Sequence, residues 1–412
     1  MSTTPILQAS KSDWIRTGVI TAVCAIAIGG TFFTANIREA ELVPASEAMP
    51  DGVEVLAKAP EKLNEVFTLS NPLLPGQHRA LSAKGLLITH TGETITASDT
   101  HGEEKWRYSR QNAELCSLST AWDKVVATYR TGVGCGDTVS IDAATGQYAD
   151  TRSAINSEEV IPITSNDRVG TVSAERVDIW RSDMVRTIEY GSVQAKQEPD
   201  FQEHEDCSIT SALTRTENLA VTESCPDDPS VTALRFMGTT PEDSRKPEVS
   251  ANIIMANQGS RIIAVGQKSA AVYQPGPKPR IDSYSNSGTK LSSMEVAASP
   301  DVNNSSTPFS PAIADLPHHM SWFDGKRLYL FTPSELKVDK VLEGAIGTGV
   351  AVGDRLLMPT KKGIAVVNWT TGETERTIRV DRGDYEGPVF LTQSGTTIVE
   401  QRGDTAVGLS AL

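Results

Sequence analysis

Beyond residue 61 the chain is built of short aliphatic and β-branched runs separated by clusters of Gly, Asn, Asp and Ser. That is the spacing of strands joined by tight turns. No stretch there sustains an apolar repeat of period 3.6, so no long amphipathic helix is expected. The exception lies near the N-terminus. Residues 17–37, TGVITAVCAIAIGGTFFTANI, are uncharged and mostly apolar, about the length that crosses a hydrocarbon core as a helix. The pattern therefore predicts an all-β domain preceded by one helical segment.

The strands recur as a unit. KGLLITHTGETITASDTHGEEKWRYS reads as a strand, a turn at Thr91-Gly92, a second strand, a turn at Thr100-His101-Gly102 and an outer strand carrying Trp106. DKVVATYRTGVGCGDTVSIDAATGQYADT repeats it, with Asp142 to Gly146 at the second turn, and a third copy surrounds Trp180-Arg181-Ser182-Asp183. Further copies turn at Gly288 and Gly372. Asp and Asn accept hydrogen bonds from the backbone just ahead of them, and Gly tolerates positive φ, so this chemistry makes a tight reversal. Four-stranded units of about 40–50 residues are propeller blades, which bury their faces only by stacking around an axis. Blades are expected near 78–110, 114–153, 160–190, 205–240, 252–297, 310–342 and 345–382. The C-terminal tail adds three strands and lacks a fourth. KLNEVFTLS, 62–70, has strand character and would close the ring, making eight blades, with seven as the alternative.

The turn pattern Asp-x-x-(Thr)-Gly-x-x-x-(Trp) resembles the repeat of PQQ-like β-propellers. ASDTHGEEKW, 97–106, matches it best; SIDAATGQY places Tyr148 near the Trp position, and VVNWTTGET has Asn368 for Asp. That family includes quinoprotein alcohol dehydrogenases and an outer-membrane assembly lipoprotein. The resemblance implies the fold over most of 62–412. It does not carry over the enzymes' cofactor: a vicinal Cys-Cys pair, a matching calcium–quinone set and a Cys-x-x-Cys-His haem motif are all missing from the sequence. The expectation is therefore a protein without enzymatic activity, cofactor or resident metal. An anchor followed by ectodomain disulfides also resembles envelope proteins of actinobacteria.

Charge and cysteines refine the picture. The formal net charge is −14 over 412 residues, with no long basic run, which argues against nucleic acid as a partner. Lys11 and Arg16 precede the apolar run, and Glu39 and Glu41 follow it. The positive-inside bias then gives a cytoplasmic tail (1–16), a transmembrane helix (17–37), an extracytoplasmic spacer (38–61) and the propeller (62–412). A cleaved signal peptide is the alternative reading of the first segment. Cys116, Cys135, Cys207 and Cys225 fall in the exported part, where disulfides persist. CSLSTAWDKVVATYRTGVGC and CSITSALTRTENLAVTESC echo each other, which pairs Cys116 with Cys135 and Cys207 with Cys225.

Functional chemistry is sparse. His318-His319 are adjacent, so on a strand they point to opposite faces and chelate poorly. The tryptophans are expected between blades. Both disulfides, the acidic connection 198–206 and a polar insertion at 298–311, expected to be mobile, all map to the propeller face that carries the strand two-to-three hairpins and the blade-to-blade connections, here called the top. The candidate interaction residues there are Glu198, Glu203, Glu205, Asp206, Asp301, Asn303 and Asn304. Strand 62–70 rises from the opposite face, so the spacer should enter from underneath and leave the top turned away from the bilayer. The reading is a non-catalytic, membrane-anchored scaffold of the cell envelope that binds an envelope protein. A ligand- or polysaccharide-binding sensor and a PQQ-dependent oxidoreductase are the alternatives.

Overall fold

The computed structural model describes residues 9–196, 198–199 and 201–411. Strands fill eight antiparallel sheets, each the equivalent of one blade. Blades 1 to 7 begin at Leu81, Leu115, Ile161, Ser208, Arg261, Ala312 and Val350. Blade 8 is composite: Val389–Ser394, Thr397–Arg402 and Thr405–Ala411 pair in turn, and Leu63–Ser70 supplies the outermost strand. The ring thus closes first strand to last. Blade 4 outruns its expected window. Its fourth strand, Val249–Met255, lies past the loop 239–248, which follows the long third strand Asp228–Gly238.

The repeat motif explains how neighbouring blades lock. Trp106, on the outer strand of blade 1, is fully buried, and its indole N–H donates to the Ala143 carbonyl of blade 2 at 2.9 Å. Its ring lies against Gly146, which sits at φ +69° and where a Cβ would meet Trp106 at 2.5 Å. Asp142 holds that turn, accepting from the Thr145 backbone N–H at 2.9 Å and from its hydroxyl at 2.8 Å. Phe67 of blade 8 occupies the same place over Gly102 of blade 1, 2.7 Å from where a Cβ would stand. Trp180, Trp322 and Trp369 are buried too. Aromatic-on-glycine contacts need both the large ring and the missing side chain, which is why the motif couples these residue types.

The N-terminal part departs from expectation in two ways. The helix runs Lys11–Thr34, beginning earlier than residue 17 because Ser10 and Asp13 form a reciprocal capping box. It is apolar and long enough to cross a membrane, and none of it is buried against the propeller. Residues 1–8 of the expected cytoplasmic tail lie outside the described residues. The segment 38–61 is not a free spacer. Ala40–Val43 pair with the outer strand of blade 1, Glu104–Arg110, as a fifth strand. Ala45 and Met49 then donate to the Thr145 and Ala144 carbonyls of blade 2, and Arg376 of blade 7 donates to the carbonyls of Ala59 and Pro60 at 2.8 and 3.0 Å. Partly buried Leu42, Ala45 and Met49 join the core around Trp106, so apolar burial and an otherwise unpaired strand edge hold the segment down.

Candidate interaction face

Both cystines close on the top face. Cys116 lies at the start of the inner strand Leu115–Ala121 of blade 2 and bonds Cys135, at the start of the third strand Gly134–Asp142. Cys207 precedes the inner strand Ser208–Arg215 of blade 4 and bonds Cys225, the last residue of Asn218–Cys225. Both are short-range links that fix the mouth of a hairpin to the inner strand beside it.

The insertion between blades 5 and 6 is ordered, contrary to the expectation of a mobile loop. Buried Ser299 caps a helical turn, Pro300–Asn303, accepting from the Val302 N–H at 3.1 Å while its hydroxyl donates to the Asp324 carbonyl at 3.0 Å. Val302 and Phe309 are buried. The Phe309 N–H donates to the Thr210 carbonyl of blade 4 at 2.8 Å. Ser310 donates its hydroxyl to the Gly76 carbonyl at 2.8 Å and receives His78 Nε2 on its own carbonyl at 3.0 Å. The insertion therefore reaches from blade 6 to blade 4 on one side and to the 71–80 connection on the other, roofing the inner strands. Burial holds the His78 pKa below the usual imidazole range, with Arg79 adding to the effect. Histidine at this crossing is neutral at pH 7 and donates through Nε2.

Two hollows flank this roof on the top face. The larger, about 1080 Å³, lies among blades 6, 7 and 8, with a floor of Phe323, Met358 and Phe390 and a rim carrying Lys326, Lys361 and Lys362. The smaller, about 760 Å³, lies between blades 2 and 3 beside the Cys116–Cys135 bridge, and Ser306 to Pro308 of the insertion form part of its wall. Glu114, Glu158, Glu159 and Glu175 all line it and are exposed. Arg130 offsets part of that charge, 3.2 Å from Glu114 and 3.9 Å from Glu158.

The candidate residues divide into separate groups. Glu203 and Asp206 are exposed at the edge of blade 4. Glu198 is paired with Lys246, and Glu205 is mostly buried and bound to Lys196 at 2.7 Å; their charge is already met within the chain. Asn303 and Asn304 are exposed on the insertion. Asp301 instead faces the larger hollow. Burial, reinforced by Asp324 nearby, pushes its carboxyl up to about 6, and its Oδ2 is buried without a hydrogen-bond partner. The four glutamates of the smaller hollow were missed. The sequence signal was available, because Glu114, Glu158 and Glu159 lie in blade-to-blade connections, the rule that picked out 198–206.

The histidine pair and the cystines are committed to partners within the chain. His318 packs edge-on to Trp369 at 5.5 Å, while His319 bonds Asp339 at 3.0 Å, so the adjacent pair is committed to different neighbours. Among the described residues the one cluster of three metal-capable side chains is Cys207, Glu223 and Cys225, and its two sulfurs are already bonded to each other. Glu223 is a buried partner of Arg235 at 2.6 Å; burial raises its pKa against the opposing pull of Tyr190 and Arg235. This is a staple resting on an ion pair.

No family model and no curated protein matches the chain. Solved structures do. The computationally designed Ika8 protein is 13% identical with a TM-score of 0.52, over 83% of this chain and 99% of that one. BamB from Moraxella catarrhalis is 12% identical with a TM-score of 0.46, over 84% and 99%. A chain of the Mitotic Checkpoint Complex is 9% identical with a TM-score of 0.45, over 88% and 97%. The likeness to Ika8, at that identity, is a likeness of fold.

Proposed function

We propose that this protein is a non-catalytic, membrane-anchored propeller of the cell envelope, outside the cytoplasm, whose top face binds another envelope protein. The observation that carries this is the concentration of devices on one face. Both cystines, the ordered insertion and two hollows lie there, whereas the 3–4 turns beneath are tight and repetitive. Connections tied down in this way lose little entropy on binding, which is how a surface is kept ready for a partner. Exposed glutamates along blades 2 and 3, with Glu203 and Asp206 on blade 4, suit a basic patch on that partner and speed encounter.

The test is charge reversal. Glu158→Lys, Glu159→Lys and Glu175→Lys together should abolish recovery of crosslinked partners from intact membranes. Glu335→Lys with Glu373→Lys, on the lower turns, should leave recovery unchanged. Loss with the lower-face variant and retention with the upper one would reverse the assignment of faces. A second reading, a sensor of small apolar ligands, is favoured by the 1080 Å³ hollow and its aromatic floor. Obstructing that hollow from its exposed rim with Lys326→Trp and Lys362→Trp should spare partner recovery under the first reading and destroy the response under the second.

A further inference from the structure

The register of one short strand bears on how the domain meets the membrane, and it rests on the reading of Lys11–Thr34 as an anchor. In blade 1 the outer strand Glu104–Arg110 runs from the lower face to the top. Ala40 pairs with Arg110 and Val43 with Arg107. The chain coming from the helix therefore reaches the propeller at the top rim. Glu39 marks the same point of arrival: it accepts from Asn112 Nδ2, in the top connection to blade 2, at 2.6 Å. Only afterwards does the chain descend the edge of blade 1. It passes the lower turn of blade 2 at Ala144 and Thr145, crosses beneath the ring, and enters blade 8 from below. Entry from underneath, expected from strand 62–70 alone, is true of that strand and not of the tether.

The reach of the linker limits the orientations open to the domain. Residues 35–39 separate the helix from the docked strand. Fully extended, five residues span at most about 18 Å, and Asn36–Glu39 form a 3-10 turn that is shorter still. The outer strand of blade 1 has seven residues and so stands about 23 Å tall. With its lower face on the bilayer, the propeller would hold Ala40 about 23 Å above the headgroups. The headgroup layer adds about 5–7 Å more. Five residues cannot cover that distance.

We propose that the docked arm holds the top rim of blades 1 and 2 at the bilayer, so that the binding face looks toward the membrane and its partner is met through extracytoplasmic loops of an integral membrane protein. Glu114, on this rim, is two residues from Asn112, and Glu158 and Glu159 lie beside it across the smaller hollow. These exposed carboxylates suit a basic protein surface more than a lipid headgroup layer.

The test uses the full chain in proteoliposomes, with Cys24→Ser as background and a donor dye on one introduced cysteine. Gln111→Cys marks the top rim between blades 1 and 2; Gln147→Cys marks the lower turn of blade 2, and both positions are exposed. With acceptor lipids in the outer leaflet, energy transfer should be clearly stronger from position 111 than from 147. Leu42→Pro, which breaks the pairing of the arm, should erase the difference while the protein still floats with the vesicles. Equal or stronger transfer from position 147 in the docked protein overturns the orientation. Failure of the wild-type chain to float overturns the anchor itself, a separate result.

Discussion

The seam between blades 1 and 2 offers a quantitative check on how the repeat motif works. Trp106→Ala removes a fully buried indole, which costs about 3–5 kcal/mol in transfer and cavity terms. It also orphans the Ala143 carbonyl, now satisfied at 2.9 Å, worth about 1 kcal/mol more. Gly146→Ala acts from the other side. Its φ of +69° costs a side-chain-bearing residue about 1–2 kcal/mol. The new methyl would also stand 2.5 Å from Trp106, and forcing that contact apart costs about 1–3 kcal/mol. In the double variant the ring carbons are gone, but the Cβ that alanine keeps at 106 still stands 2.5 Å from the new methyl, so only part of the contact penalty is relieved and the rest survives beside the backbone penalty. The two changes should therefore fall short of additivity by about 1 kcal/mol, the part of the contact that belongs to the ring. Urea unfolding of the four proteins, with the slope held constant, measures the coupling. Strict additivity would show that ring and glycine do not touch, and the account of the motif would fail with it.

Other outcomes are equally specific. Asp301→Asn should stabilise the protein at pH 7 by about 1–2 kcal/mol, less than the full conversion of the shift because the carboxyl is partly exposed. Its folded pKa of about 6 lies above the ordinary 3.8, so the native state keeps a proton that the unfolded chain has lost; wild-type stability should rise as pH falls from 7 toward 4, and the variant should lose this rise in melting temperature. Replacing Cys116 and Cys135 by Ser opens a loop with a sequence separation of 19 and should cost about 3 kcal/mol in the chain-entropy picture, read by urea unfolding under non-reducing conditions. The purified propeller domain mixed with quinone cofactor and calcium should show no stoichiometric uptake by absorbance; uptake with dye-linked dehydrogenase activity would restore the oxidoreductase alternative.

Much of the architecture was legible because the propeller repeats its local chemistry. Asp142 and Gly146, or Asp99 and Gly102, mark a reversal wherever they recur, since the turn needs a side-chain acceptor and a positive φ within a few residues. Seven such units and a three-stranded tail leave one strand to be found, and Leu63–Ser70 is where it was sought. The cystine echo worked for the same reason: equivalent blade positions bring equivalent residues together. Outside the repeat this logic has no hold. The insertion reads as a polar, Pro- and Asn-rich loop. Its order comes from Ser299 under Asp324 and Phe309 on Thr210, partners far away in the chain.

By itself the sequence determined the elements: one apolar helix, a ring of four-stranded blades closed by an N-terminal strand, and the pairs of cysteines within it. These rest on short-range patterns, namely apolar periodicity, turn residues and repeat spacing, which act before any distant contact forms. Tertiary structure alone decided which charges are free. Glu205 and Glu198 look no different from Glu158 and Glu159 until Lys196 and Lys246 are placed beside the first two. It also decided the path of 38–61, a segment whose Ala, Pro and Glu content gives no pairing signal of its own. A four-residue strand is too short to announce itself by alternation. It exists because blade 1 presents an unpaired edge and because Leu42, Ala45 and Met49 find a core to join. The direction in which that strand runs sets the end of the propeller that meets the helix.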